Sequence, residues 1–413
     1  MIKAFLLLLL PAALATAFGA EVSNYDTPGF VPAAELLPPA WIQNSPCKIG
    51  ANANADGLHT TYELFNGTAR EEITGTQLLA NRVRELQAIA SLREMNKSAE
   101  FGKALLKSGG EKIQSVGAAV KDPVGTAKNL PQGASKFFGR IGNTVKSMGE
   151  GNVGATQALE GALGVHRAKA ELALKLGVSP FTSDSVLQAE LDKAARAMAA
   201  GATLMNFSGL LVGGGVGTAI SAVNMNQTFQ RALVESSPAE LESKNRAALQ
   251  ALGASPANIS SFLSNPSFNP SFNPWQKAAI VATLAAIGQN PDPVLAQASQ
   301  ATSLEDAVYF VQMTRLFEKH HQDRAPITEF RTMNGIPCAI DRDGMLVVAV
   351  GADLILWTPN LESRANEFLE MKKTNPNLQS LLLVTDGSLS PRALEALAAK
   401  DIQATPQALG PIQ

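Results

Sequence analysis

Ile336-Pro-Cys-Ala-Ile-Asp-Arg-Asp-Gly-Met-Leu-Val-Val-Ala-Val350 decides the fold. Residues 336–340 and 345–350 are apolar runs of strand length, and Asp341-Arg-Asp-Gly344 between them is a strong hairpin turn. Residues 354–357 can supply a third strand. Downstream, 361–373 predicts a helix and 380–384 a buried strand. Ser390-Pro391 then gives a cap followed by a first-turn proline, opening a helix to about Lys400, and 402–405 predicts a last strand. Residues 326–413 therefore read as a compact α/β domain with a mixed sheet.

Upstream of Pro326 the period is helical. Leu78, Leu79, Val83, Leu86, Ile89 and Leu92 recur at three- and four-residue steps from Glu71 onward, which predicts one amphipathic helix of about six turns. Helical patterns return over 157–176, 185–205, 238–252, 275–288, 293–302 and 304–320. The fold class expected is thus α+β, a mostly α-helical body (151–325) followed by the small C-terminal domain. Pro28, Pro32, Pro38, Pro39 and Pro46 interrupt 21–70, which is expected to be an extended proline-rich arm. In Asn265-Pro-Ser-Phe-Asn-Pro-Ser-Phe-Asn-Pro274 a proline at every fourth position forbids a regular helix. Phe268 and Phe272 are expected to dock on neighbouring helices.

Lys3, the apolar run 5–10 and Ala15-Thr16-Ala17 have the layout of a cleavable secretory signal within residues 1–20, with cleavage after Ala17, or after Gly19 or Ala20. Export to a periplasmic or extracellular compartment follows as an expectation. Charged residues are only 17% of the chain, below the roughly 25% of ordinary domains, which fits an envelope or secreted protein. A net charge of −2 gives no global reason to expect nucleic acid. In an oxidising compartment the two cysteines, Cys47 and Cys338, are expected to form a disulfide, closing a loop that chain entropy values at roughly 5 to 6 kcal/mol.

Two segments carry membrane chemistry. Residues 101–149 hold eight basic side chains against Glu111 and Asp122, a balance of +6. Lys121, Lys128, Lys136 and Arg140 alternate there with apolar residues including Phe137 and Phe138, a pattern that can lie on an anionic membrane surface. Residues 198–223 contain no charge, and Gly209, Gly213 and Gly217 stand four apart, so a helix would present a glycine groove. A packed hairpin is preferred here over a bilayer span and over a segment that inserts conditionally into a target membrane. Large apolar residues are too few, and basic residues are not enriched on the side that should face the cytoplasm.

Signals for catalysis are sparse. The chain contains no H-E-x-x-H, C-x-x-C, phosphate-binding loop, nucleophile elbow or dinucleotide fingerprint. His320 and His321 are neighbours that a helix points apart, and they are expected on a solvated helix end. Val384-Thr385-Asp386-Gly387-Ser388 follows a strand and precedes a helix, the position where open α/β sheets place binding groups. Asp386, with Asp353 and conceivably Asp341 and Asp343 around a cation, is the catalytic candidate. Turn chemistry of Asp-Gly is the competing explanation. Glu370-x-Lys372 falls on a helix and is discounted.

The leading expectation is an exported, non-catalytic helical scaffold that associates peripherally with an anionic membrane or with envelope proteins and carries a C-terminal binding module. No cofactor, metal, nucleic acid or identifiable small-molecule substrate is expected. A hydrolase with its site around Asp386 is the alternative.

Overall fold

A computed structural model describes residues 24–43, 47–96, 153–199, 233–268 and 274–410. The signal segment, the basic segment with Lys121, Lys128, Lys136, Phe137, Phe138 and Arg140, the glycine groove at Gly209, Gly213 and Gly217, and Phe272 lie outside the described residues. Among the described residues no helix is long and apolar enough to cross a membrane.

The first unit corrects the expected extended arm. Strands β1 (Gly29–Pro32), β2 (Lys48–Ile49), β3 (Asn52–Ala55), β4 (Thr60–Asn66) and β5 (Ala69–Thr74) form an antiparallel sheet in the order β1-β3-β4-β2, with β5 also on β4. Short helices α1 (Ala33–Leu36) and α2 (Pro39–Gln43) lie between β1 and β2. The prolines fit this sheet because Pro32 ends a strand and Pro39 opens a helix, positions where a missing N–H costs little. Alternation supplies the buried face: Ala53, Ala55, Thr60, Tyr62 and Leu64 are all inside. Gly67-Thr68 turns β4 into β5, with Gly67 at φ +62°.

Helix α3 (Thr76–Asn96) starts later than the periodicity suggests, since Glu71 and Glu72 belong to β5. It packs with α4 (Val153–Leu176) and α5 (Ser185–Ala199) over the sheet. Leu79, Val83, Tyr62, Leu64, Leu172, Leu187 and Leu191 form the core between them.

A helical layer follows: α6 (Pro238–Ala251), α7 (Pro256–Ser264), α8 (Pro274–Ile287), α9 (Asp292–Ala298) and α10 (Leu304–Asp323). Capping boxes open α6 at Ser237 with Glu240 and α10 at Ser303 with Asp306. Helix α7 was not expected, although Ser255-Pro256 carries the same cap-and-proline signature as Ser390-Pro391. In the proline-punctuated segment Phe268 docks on Phe262, their rings 5.3 Å apart. The Asn265 amide donates to the carbonyls of Ser299 and Ala301.

The C-terminal sheet is mixed, as the α+β reading requires. It runs β12-β10-β8-β7-β6, built from β6 (Ile327–Met333), β7 (Ile336–Asp341), β8 (Met345–Val350), β10 (Ser380–Thr385) and β12 (Ile402–Thr405). Strands β6, β7 and β8 are antiparallel neighbours, while β10 is parallel to both β8 and β12. The expected third strand at 354–357 forms instead a two-stranded parallel patch, β9 (Leu354–Ile355) with β11 (Ser388–Leu389). Helices α11 (Pro359–Thr374) and α12 (Pro391–Ala399) cover one face.

Both faces are buried, which explains the unbroken apolar runs. Met345, Val347, Ala349, Leu382 and Val384 join the core of the helical layer. Leu346, Val348, Leu381 and Leu383 point the other way, into the core with Phe368 and Leu397. One core therefore runs from Leu249 to Val384, across the change of period at Pro326.

The cysteine bridge does not form. Cys47 is buried in the core of the first sheet and Cys338 in the separate core under α11 and α12, so the two do not meet. Burial pushes the Cys338 thiol up to about 12.

Candidate functional site

The carboxylates expected to share a site divide into two places. Asp341 follows β7 and precedes β8, whereas Asp353 and Asp386 follow the far ends of β8 and β10. Six residues of β8 separate the two edges by roughly 20 Å. Among the described residues no group of three His, Cys, Asp or Glu side chains could hold a metal ion.

At the first edge Asp341 is part of the hairpin turn. Its Oδ1 accepts the main-chain N–H groups of Asp343 and Met345, each at 2.9 Å. Its Oδ2 lies 2.9 Å from His320 Nε2, which donates to it, and both side chains are only 2% exposed. The expectation that His320 ends in solvent is thus overturned: α10 delivers it into the core, where burial lowers its pKa despite the neighbouring carboxylate. His321 Nδ1 accepts the N–H of Ile327 at 3.0 Å. Local spacing could not reveal the pair, whose members are 21 residues apart.

At the second edge, Asp353 and Asp386 do meet. Val350 and Thr385 are paired in register, so the two loops that follow lie side by side. Asp386 Oδ1 accepts the N–H of Ala352 at 3.1 Å, and its Oδ2 accepts the Gln312 amide from α10. Asp353 reaches away from its own sheet. Its Oδ2 takes the N–H of Thr60 at 2.8 Å and its Oδ1 that of Thr76 at 2.7 Å. Burial raises the pKa of both, and the negative charge of Asp353 adds to the effect on Asp386, which is pushed up to about 7. Every carboxylate oxygen of the pair carries a hydrogen bond from the protein.

A cleft of about 480 Å³ lies between β5, α3, the turn joining α4 to α5, and the start of α10. Glu71, Glu72, Glu85, Asp184 and Glu305 line it, with Arg82 among them. Arg82 pairs with Glu71 at 2.8 Å, Glu85 at 3.1 Å and Asp184 at 2.6 Å. Local patterning does not signal the tie to Asp184, which is 102 residues from Arg82.

The same ion pairs fix the directions of three helices. Arg82, near the start of α3, meets Asp184 at the start of α5, while Arg93 meets Glu190 at 3.5 Å and Asn96 hydrogen-bonds the same residue. Helices α3 and α5 therefore run the same way. Lys169 pairs with Asp192 at 2.6 Å, and the short turn after Leu176 makes α4 run oppositely. Asn96, Val153 and Ala199 consequently belong to one end of the three-helix bundle.

Comparison with protein-family models, with curated proteins and with solved structures found no match to this chain.

Proposed function

We propose that this is an exported, non-catalytic envelope or secreted protein whose helical body presents one end to an anionic membrane surface. A single observation carries the proposal. The basic segment 101–149 connects α3 to α4, and the uncharged segment 200–230 follows α5, so both leave the body from the end marked by Asn96, Val153 and Ala199. Positive charge and apolar residues issuing from one pole are what a peripheral membrane contact requires: charge draws the body to the surface and apolar groups enter it.

Vesicle flotation of the purified protein tests this. Each lysine or arginine near an anionic surface contributes about 1 kcal/mol, so neutralising four lowers partitioning by roughly 10³-fold. The native protein is expected to float with anionic vesicles at low salt and to be released at high salt. The variant with Lys121, Lys128, Lys136 and Arg140 replaced by glutamine is expected to remain at the bottom. Native protein that never floats, or a variant that floats equally well, contradicts the reading.

A further inference from the structure

Main-chain groups, aspartates and Tyr25, whose hydroxyl donates to Glu362 at 2.6 Å and whose carbonyl accepts from Arg392, fasten the first unit to the C-terminal sheet. Leu58 O accepts the N–H groups of Asp353 and Leu354, and Gly57 O accepts that of Leu356. Asp26 accepts Trp357 N–H at 2.7 Å and the Ser390 hydroxyl. Asp353 closes the seam by gripping Thr60 and Thr76, which bracket the β4–β5 hairpin. Among the described residues the apolar contact across this seam is that of Tyr25 with the C-terminal core.

Behind Asp353 stands Asp386, locked by its own partners and unable to withdraw. The loops interdigitate so closely that Ser388 N–H donates to Asp353 O at 3.0 Å, and a Cβ on Gly387 would lie 2.4 Å from that oxygen. A cavity of about 20 Å³ between His59, Gln77, Tyr309, Gln312 and Asp353 has the size of one water and offers a proton a path to the pair.

We propose that Asp353 and Asp386 form a proton-gated clasp, in which uptake of one proton by the pair fastens the first sheet to the C-terminal sheet and loss of that proton loosens it. With Asp386 protonated, Asp353 is the one buried charge of the pair and keeps both main-chain donors. With both ionised, two like charges confront each other across interlocked loops at the point where the hairpin is held. The other titratable groups facing the pair are Arg315 and Tyr309 from α10, Glu305 at the start of that helix, His59 before β4 and Tyr62 on β4. Arg315 favours ionised Asp386 and His59 favours ionised Asp353, but burial and the repulsion of Asp353 outweigh them at Asp386, and burial outweighs them at Asp353.

The direction follows from linkage. A carboxyl whose folded pKa is raised contributes stability that is fully present below its unfolded value near 4 and is lost as the pH rises through its folded value, here about 7. The seam is therefore tight in acid and looser from neutral pH upward.

Hydrogen exchange of the full chain, corrected for intrinsic rates, reads the clasp at the Thr60 and Thr76 amides. Their protection is expected to fall by about tenfold or more between pH 5.5 and pH 8, while amides in α7 to α9 keep theirs. Asp386→Asn is expected to abolish the fall. Independently of any variant, one aspartate of the native chain is expected to titrate by carboxyl carbon NMR near neutral pH. Flat protection, the same fall in Asp386→Asn, or aspartates that all titrate below pH 5 overturns the clasp.

Discussion

Gly387 is a glycine by necessity of space. Its φ lies outside the left-handed region, so the turn preference of Asp-Gly is not what selects it. A methyl group there would sit 2.0 Å from Ala352 O and 2.4 Å from Asp353 O, both main-chain atoms that cannot swing aside. Gly387→Ala is expected to cost about 3 kcal/mol in chemical denaturation, and a loss under about 0.5 kcal/mol would show that the loops are not interlocked. Gly344 differs, with φ +74° in the β7–β8 hairpin, where the turn reading holds. Space also constrains Gly344, where a Cβ would lie 2.8 Å from Asn377 O, so the two Asp-Gly pairs differ in the positive φ that Gly344 alone adopts. Local spacing hid His320, whose partner arrives from the next hairpin, and Arg82, whose carboxylates come from three separate stretches.

At the scale of elements, legibility followed the strength of the local signal. Strands β7, β8, β10 and β12, the starts of α6 and α10 and the cap at Ser390 sit where patterning placed them, because apolar run, turn and cap coincide. Strand β6 and the patch of β9 with β11 were less legible. Their placement depends on which neighbour offers free N–H and C=O groups, and only the assembled sheet decides that. The first sheet is not legible because five prolines in 21–70 argue against regular structure, although Pro32 ends a strand and Pro39 opens a helix, where a missing N–H costs little. The cysteine pairing failed for a reason of the same order: parity and compartment argue for a bridge, yet the thiols belong to different cores. Alkylation of the denatured, unreduced protein is expected to add two labels per chain. A chain that takes none would mean that the two cysteines are bridged.

For the whole molecule, two polar devices act on separate ends of one body. The clasp sets how firmly the first sheet is held, and the bundle of α3, α4 and α5 sets where the undescribed basic and uncharged segments depart. The α+β character was legible because period and length distinguish helices from strands without tertiary knowledge. The common pole was not, since helix direction is written in ion pairs between residues about 100 positions apart.

Lipid-borne quenching of site-specific fluorophores tests the central claim most directly. The native cysteines are buried, so a probe at Glu94→Cys marks the end of α3 at the proposed membrane pole and one at Ser183→Cys marks the opposite end. Twelve residues of helix, about 18 Å, separate Glu94 from the Arg82 level at which Ser183 sits. On anionic vesicles carrying quencher in the headgroup region, the account predicts strong quenching at position 94 and little at position 183. Equal quenching at both, or quenching confined to position 183, would contradict it.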